Sequence, residues 1–254
     1  AGKAEPALIG VSSIRVDPEK FTITGSRDRL QILVTGTDET GQQIDLTHLV
    51  TYNAANAALA DVDARGAVVP MADGETTIQI RYGDHTAQMS LRTEGILDDQ
   101  RVSFDYQALP ILAQAGCSGG ACHGSPHGKA GFRLSLFASD RELDRVSLTR
   151  ELFGRRVNPI EPDKSLMLRK PTMQLAHQGG KRFGVDDIQY KLLRDWIAEG
   201  CQTEKQLPDC VGIDVSPSGG RLVKFPYERQ QLAVVANFSD GSRRDVTHLA
   251  KFDA

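Results

Sequence analysis

Two thiols followed at once by an imidazole, Cys117-Ser118-Gly119-Gly120-Ala121-Cys122-His123, are the residues of this 254-residue chain best equipped for chemistry. In covalent haem attachment each thiol adds to a vinyl group of the porphyrin and the adjacent histidine takes the iron. The usual form of that motif places two residues between the cysteines. Here four intervene, two of them glycines whose backbone freedom lets the longer loop close. Three other chemistries use the same residues. A zinc site wants further Cys or His ligands at regular spacing, and no second cysteine pair lies close enough. A plain Cys117–Cys122 disulfide leaves His123 without a role. A redox dithiol normally has two intervening residues in a thioredoxin-like pattern, which is absent.

If His123 takes one face of an iron, the other face needs a partner. Met167, Met173 and His177 all follow at a suitable distance. Met167 sits in the apolar run Ser165-Leu166-Met167-Leu168, where methionine is an ordinary core filler. Met173 and His177 lie in Gly- and Pro-containing segments able to present a ligand. His127 follows the proximal residue by four, but Gly124, Pro126 and Gly128 argue against a helix there, so it reads as a solvent residue. Haem propionates want cationic partners, and Arg155, Arg156, Lys181 and Arg182 are the candidates. Phe132, Leu134, Leu136, Leu166, Leu168 and Trp196 read as wall or core.

These residues fall in a segment whose periodicity is helical at both ends. Phe104–Gln114 predicts a helix running into Cys117, with Pro110 limiting it. A second helix is expected over Asp140–Phe153. A third is expected over Val185–Gly200, where Ile188, Leu192, Leu193, Trp196 and Ile197 recur at threes and fours and Gly200 closes the run. Residues 9–95 read differently. Ile14/Val16, Phe21/Ile23 and Leu30/Ile32/Val34 alternate with polar neighbours, and turn pairs such as Arg65-Gly66, Asp73-Gly74 and Gly83-Asp84 punctuate them, as in a β-sandwich.

The tail repeats this β pattern. Asp45-Leu46-Thr47-His48-Leu49-Val50 matches Asp245-Val246-Thr247-His248-Leu249-Ala250, and Ile14–Pro18 is echoed by Ile213–Pro217. Leu30, Ile32 and Val34 align with Leu232, Val234 and Ala236 if the second turn is slightly shorter. His48 and His248 recur with their neighbours and read as scaffold. The expected fold is therefore multidomain: an all-β sandwich over 1–96, whose pattern resembles immunoglobulin-like modules, a mostly α domain over 97–205, which the motifs quoted next liken to a cytochrome c-like domain, and the first half of a second immunoglobulin-like sandwich over 206–254. Half a sandwich leaves an apolar face bare, which suggests a piece of a larger protein.

Cys122-His123-Gly124, Gly131-Phe132-Arg133-Leu134-Ser135-Leu136-Phe137, Gly154-Arg155-Arg156, Pro162-Asp163-Lys164-Ser165-Leu166-Met167-Leu168-Arg169-Lys170-Pro171 and His177-Gln178-Gly179-Gly180-Lys181-Arg182-Phe183 together resemble the cytochrome c-like domain of large planctomycete-type proteins. In that family such domains are joined to bacterial immunoglobulin-like (BIG2-type) modules. The resemblance spans nearly all of 98–200. It implies one covalent haem c and places a histidine in the His-x-Gly-Gly element, which favours His177 over Met173 and Met167 as the second iron ligand.

Net charge is −3, with no basic surplus to suggest nucleic acid. No apolar run approaches the roughly 20 residues of a membrane span. The opening residues read as a mature start after a removed leader. Cys201 and Cys210 flank a short polar turn and are expected to pair, which suits an oxidising, periplasmic compartment. The functional expectation is an electron carrier rather than an enzyme, since two histidines would leave the iron no open position. Its redox partner protein is not named by the sequence. A haem enzyme or gas sensor with an open iron face, and a non-redox adhesion or spacer protein, are the alternatives.

Overall fold

The computed structural model describes residues 10–98, 100–204, 206–219, 223 and 229–252. In its first hundred residues the alternating stretches become ten strands: β1 (Ser13–Asp17), β2 (Lys20–Thr24), β3 (Leu30–Gln31), β4 (Leu33–Thr37), β5 (Gln43–Asp45), β6 (Thr51–Ala54), β7 (Ala60–Val62), β8 (Ala67–Pro70), β9 (Gly74–Tyr82) and β10 (His85–Glu94). They form three sheets, ordered β1-β4-β5, β2-β10-β9-β6 and β3-β8-β7. β9 and β10 make a long antiparallel hairpin, while β2 joins β10 in parallel. Side chains two apart along these strands point one way, so Val16, Ile23, Ile32, Ile78, Ile80, Met89 and Leu91 meet in a single buried cluster fed by all three sheets.

β11 (Cys210–Ser216), β12 (Ala233–Phe238) and β13 (Arg243–Asp245) form a fourth sheet in the order β11-β12-β13. It repeats β1-β4-β5 in registers and hydrogen bonds. Val16 pairs with Val34, and Val215 with Val234. Thr47 Oγ1 accepts from Val34 N (3.0 Å) and Thr247 Oγ1 from Val234 N (2.8 Å). Asp38 N donates to Gln42 O and Phe238 N to Ser242 O, so the two turns have equal length. The shorter second turn expected from sequence is corrected: Val34 answers Val234, and Ile32 answers Leu232.

The two repeats clasp each other with equivalent groups. Asp45 Oδ1 accepts from Thr47 N within its own turn (2.9 Å), while Oδ2 accepts from Gln231 N of the other repeat. Asp245 Oδ1 accepts from Thr247 N (2.8 Å), while Oδ2 accepts from Gln31 N (2.7 Å). Described residues within 1–100 and 208–247 accordingly form one compact unit, and those within 101–207 and 248–254 form another.

The second unit holds four α-helices: α1 (Leu109–Gln114), α2 (Arg141–Thr149), α3 (Leu166–Arg169) and α4 (Ile188–Ala198). α1 continues a π-helical turn over Phe104–Ala108, and Pro110 sits in its first turn, where a missing N–H costs little. Asp140 caps α2 by accepting from Leu143 N (3.0 Å). Leu152 and Phe153, at φ 49° and 60°, end the helix the sequence carried on to 153. α4 buries Tyr190, Leu192, Leu193, Trp196 and Ile197, and Trp196 stacks on Phe104 with centroids 5.1 Å apart.

The expected fold class is thereby corrected. Strand residues make up 30% of the described residues against 19% helix, and the middle segment is not a mostly α cytochrome-like domain. Its helices are 6, 9, 4 and 11 residues long, joined by turns and loops. The cause is local: Pro110, the Gly-rich loop 117–124 and the left-handed residues at 137–138 and 152–153 interrupt the helical periodicity. The two-sheet sandwich is likewise replaced by three sheets around one core. The disulfide expectation is corrected too, since all four cysteines are free thiols. Cys201 ends α4's turn at φ 55°, with a thiol pushed up to about 11 by burial, while Cys210 opens β11 in the other unit. Among the described residues no helix is long and apolar enough to cross a membrane.

Burial pushes Asp28 up to about 6, aided by Asp245 and opposed by Arg244 and Arg29. A carboxyl with a raised folded-state pKa stabilises the fold below its unfolded value and loses that contribution as pH rises through its folded value. The window here is about pH 4 to 6, and the linkage amounts to roughly 3 kcal/mol. Asp28→Asn should therefore gain stability over the parent at pH 7.5 and little at pH 4, read by urea denaturation followed by circular dichroism. An equal effect at both pH values would refute the linkage.

Candidate functional site

The four-residue spacer between the cysteines closes as a compact turn. Cys117 N extends the end of α1 by donating to Leu112 O (2.9 Å), and Cys122 N donates to Gly119 O (2.9 Å). His123 N reaches back to Cys117 O (3.0 Å), which brings both thiols and the imidazole to one place. Leu134 N donates to His123 O (2.7 Å) and holds the loop from the far side. The neighbouring Ser135 is fixed by the buried Asp144 carboxylate, which accepts from both its N–H and its hydroxyl. Gly124 has no alternative: a Cβ there would lie 2.0 Å from Ser118 O.

Cys117, Cys122 and His123 line a cavity of about 740 Å³, within the range of small-molecule and cofactor sites. Leu112, Phe132, Leu148, Leu166 and Met167 supply apolar wall, and His177 stands opposite His123. The two imidazole rings are nearly parallel, at 10°, with centroids 6.4 Å apart. Two metal–imidazole bonds of about 2 Å each, plus roughly 1 Å from each nitrogen to its ring centre, give a separation of about 6 Å. The centroid separation is close to that sum.

Backbone carbonyls hold both rings. His123 Nδ1 lies 3.0 Å from Phe132 O, and His177 Nδ1 lies 3.0 Å from Gly180 O. With Nδ1–H donating to a carbonyl, the lone pair sits on Nε2, which is the arrangement a metal ligand uses. Burial lowers the His123 pKa, and His177 and Arg156 lower it further, so the neutral, ligating form is favoured. Phe132 packs on His123 at 4.5 Å between centroids. Gly179 makes room for His177: a Cβ there would stand 2.8 Å from the imidazole Cε1.

The remaining sequence candidates separate clearly. Met167 is buried in the cavity wall. Met173 is exposed at φ 61° and does not line the cavity. Arg155 and Arg182 line it, and Arg182 Nη2 approaches Cys122 Sγ at 3.9 Å. Arg156 also lines it, but its guanidinium is spent on Ser147 O, Gly131 O and Glu151, and stacks over Phe132 at 4.4 Å. Lys181 lies on a neighbouring groove with Asp186 and Asp187. Lys129 and Lys170, unremarked in the sequence, line the main cavity. His127 is exposed, as expected. Burial pushes the Cys117 thiol up to about 11, with Arg182 opposing.

The metal-binding expectation is corrected in one respect. Among the described residues no group of three or more His, Cys, Asp or Glu side chains could hold an ion. The chain also lacks the two-residue CxxCH spacing. A bare ion gripped by protein ligands alone has no site among the described residues.

No family model matches the chain, and no curated protein matches it. Solved structures it resembles in part include domains 4 and 5 of the S-layer protein SbsC, at 22% identity over 33% of this chain and 51% of that one, with a TM-score of 0.29. SbsC domains 5-6 match at 20% identity over 37% and 53%, TM-score 0.29. An EHEC O157:H7 intimin mutant matches at 18% identity over 32% and 46%, TM-score 0.24. The chain spans about half the length of these fragments.

Gly124→Ala should destabilise the second unit by about 2 kcal/mol or more, because backbone must move. Trp196, the single tryptophan, reports this by fluorescence during urea unfolding. A change below about 0.5 kcal/mol would show the turn to be more yielding than its geometry implies.

Proposed function

We propose that the second unit binds one haem covalently and serves as a one-electron carrier. The observation that carries this reading is the parallel His123–His177 pair at 6.4 Å, each ring anchored through Nδ1. In this reading Cys117 and Cys122, which line the same cavity, would form the two thioether links. When bound, the haem supplies reversible one-electron chemistry at iron. The chain's own part is to hold two imidazoles at fixed orientation, bury the cofactor against Leu112, Phe132, Leu148 and Leu166, and offer cations to its carboxylates. If His123 and His177 both held the iron, no position on it would stay open, which favours electron transfer over capture of oxygen or peroxide. Histidine in place of methionine sets a lower potential, because methionine ligation raises it. Thioether attachment of haem is extracytoplasmic chemistry in the resemblance that first suggested it, and the periplasm is the compartment we propose.

The test is maturation in cells able to attach haem. The purified chain should carry the mass of the polypeptide plus one haem and give a pyridine haemochrome spectrum. His177→Ala should turn a low-spin spectrum high-spin, whereas Met173→Ala should leave it unchanged. A colourless product with a Cys117–Cys122 cystine would overturn the reading and favour a non-redox spacer or adhesion role. Tight, rapid carbon monoxide binding by the parent protein would favour the open-site alternative.

A further inference from the structure

The charged residues that line the cavity are all cations. Lys129, Arg155, Arg156, Lys170 and Arg182 are among its lining residues, and no carboxylate is. Arg156 is paired with Glu151 at 3.3 Å. Lys129, Arg155 and Arg182 are exposed, and Lys170 Nζ donates to Ala176 O (3.1 Å). Two cofactor carboxylates would neutralise two of the four remaining cations and leave two facing solvent. Beside them stands an apolar knob. Leu152 forms part of the cavity wall and is half-exposed, and Phe153 next to it is fully exposed. Both hold left-handed backbone angles, which cost bulky residues of order 1–3 kcal/mol and concentrate at functional sites.

We infer that the mouth of this cavity is the docking surface for an acidic one-electron protein, with Lys129, Arg155, Lys170 and Arg182 steering it and Phe153 as the central apolar contact. The inference rests on the haem reading. A cleft lined by one sign of charge raises the encounter rate of the opposite sign, and salt weakens the effect. An aromatic anchor inside a polar rim is the usual anatomy of such an interface. An anionic lipid surface would use the same charges, but Leu152 and Phe153 stand in a four-residue turn, which gives no amphipathic helix to lie in a bilayer.

Reduced flavodoxin, an acidic flavin protein, is the probe for docking: its hydroquinone gives one electron to the oxidised chain and becomes the semiquinone. Ferricyanide and tris(phenanthroline)cobalt(III) are the small probes: each takes one electron from the reduced chain, giving ferrocyanide and cobalt(II). The ferricyanide and flavodoxin rates should fall several-fold between about 20 and 200 mM salt, while the cobalt rate should rise. Lys129→Glu with Lys170→Glu should reverse the preference between the two small ions. Phe153→Ser should slow flavodoxin several-fold more than ferricyanide. Carbodiimide coupling of flavodoxin to the chain, mapped by mass spectrometry, should join its carboxylates to Lys129 or Lys170. A haem-loaded chain whose rates ignore probe charge and salt, or whose cross-links fall on other lysines, sinks this inference and leaves the haem reading standing. A chain without haem sinks the reading first. Selective coupling to anionic vesicles, with no flavodoxin cross-link, would overturn the protein partner in favour of a membrane surface.

Discussion

Two hydrogen bonds from imidazole Nδ1 to main-chain carbonyls govern the candidate site. Phe132 O and Gly180 O lie far from each other in sequence, yet each stands 3.0 Å from the Nδ1 of one ring and fixes its orientation. Much of the local architecture follows from keeping those carbonyls where they are. The Asp144–Ser135 bonds and the Leu134–His123 bond hold the strand-like segment that carries Phe132. The His177–Gly180 turn, in which Gly180 N donates to His177 O, presents the second carbonyl. A shift in either support would free an imidazole to rotate.

The thiols are less constrained than the imidazoles. Their loop is long enough to look wrong for its chemistry, but the bonds Cys122 N to Gly119 O and His123 N to Cys117 O shorten its effective reach. Two extra residues are absorbed as an added turn rather than as added span. Gly124 then passes so close to Ser118 O that no side chain fits, which explains the glycine after the histidine more directly than any property of a bound group.

Much of this was legible in the sequence, and for identifiable reasons. Strand alternation at Ile14–Val34 and Thr76–Leu91 survived because those residues face one core. The helix of 188–198 was legible because its apolar residues hold one face. Spacing alone left three iron-ligand candidates; the cavity separates Met173, which lies outside it, from Met167 and His177, which line it. What was not legible depends on backbone angles that carry no periodic signal. The left-handed pair Leu152–Phe153 stopped a helix the pattern continued, and short loops broke what looked like a mostly helical domain. Lys129 and Lys170 escaped notice because nothing in a sequence says that two lysines 41 positions apart share a cavity. The register of the repeat went astray by two residues because apolar alternation fits at either offset, whereas the Thr–backbone bonds fit at one.

The paired aspartates of the β repeats have a consequence for how the chain can unfold. Asp45 and Asp245 each spend one oxygen at home and one on the neighbour. A three-stranded piece such as β11-β12-β13 persists only where its apolar face has something to pack on. It is kept by a handshake that the larger repeat must be folded to offer. Loosening either turn therefore loosens the grip as well, so these two pieces should melt in one event, with the weaker borrowing its persistence from the stronger.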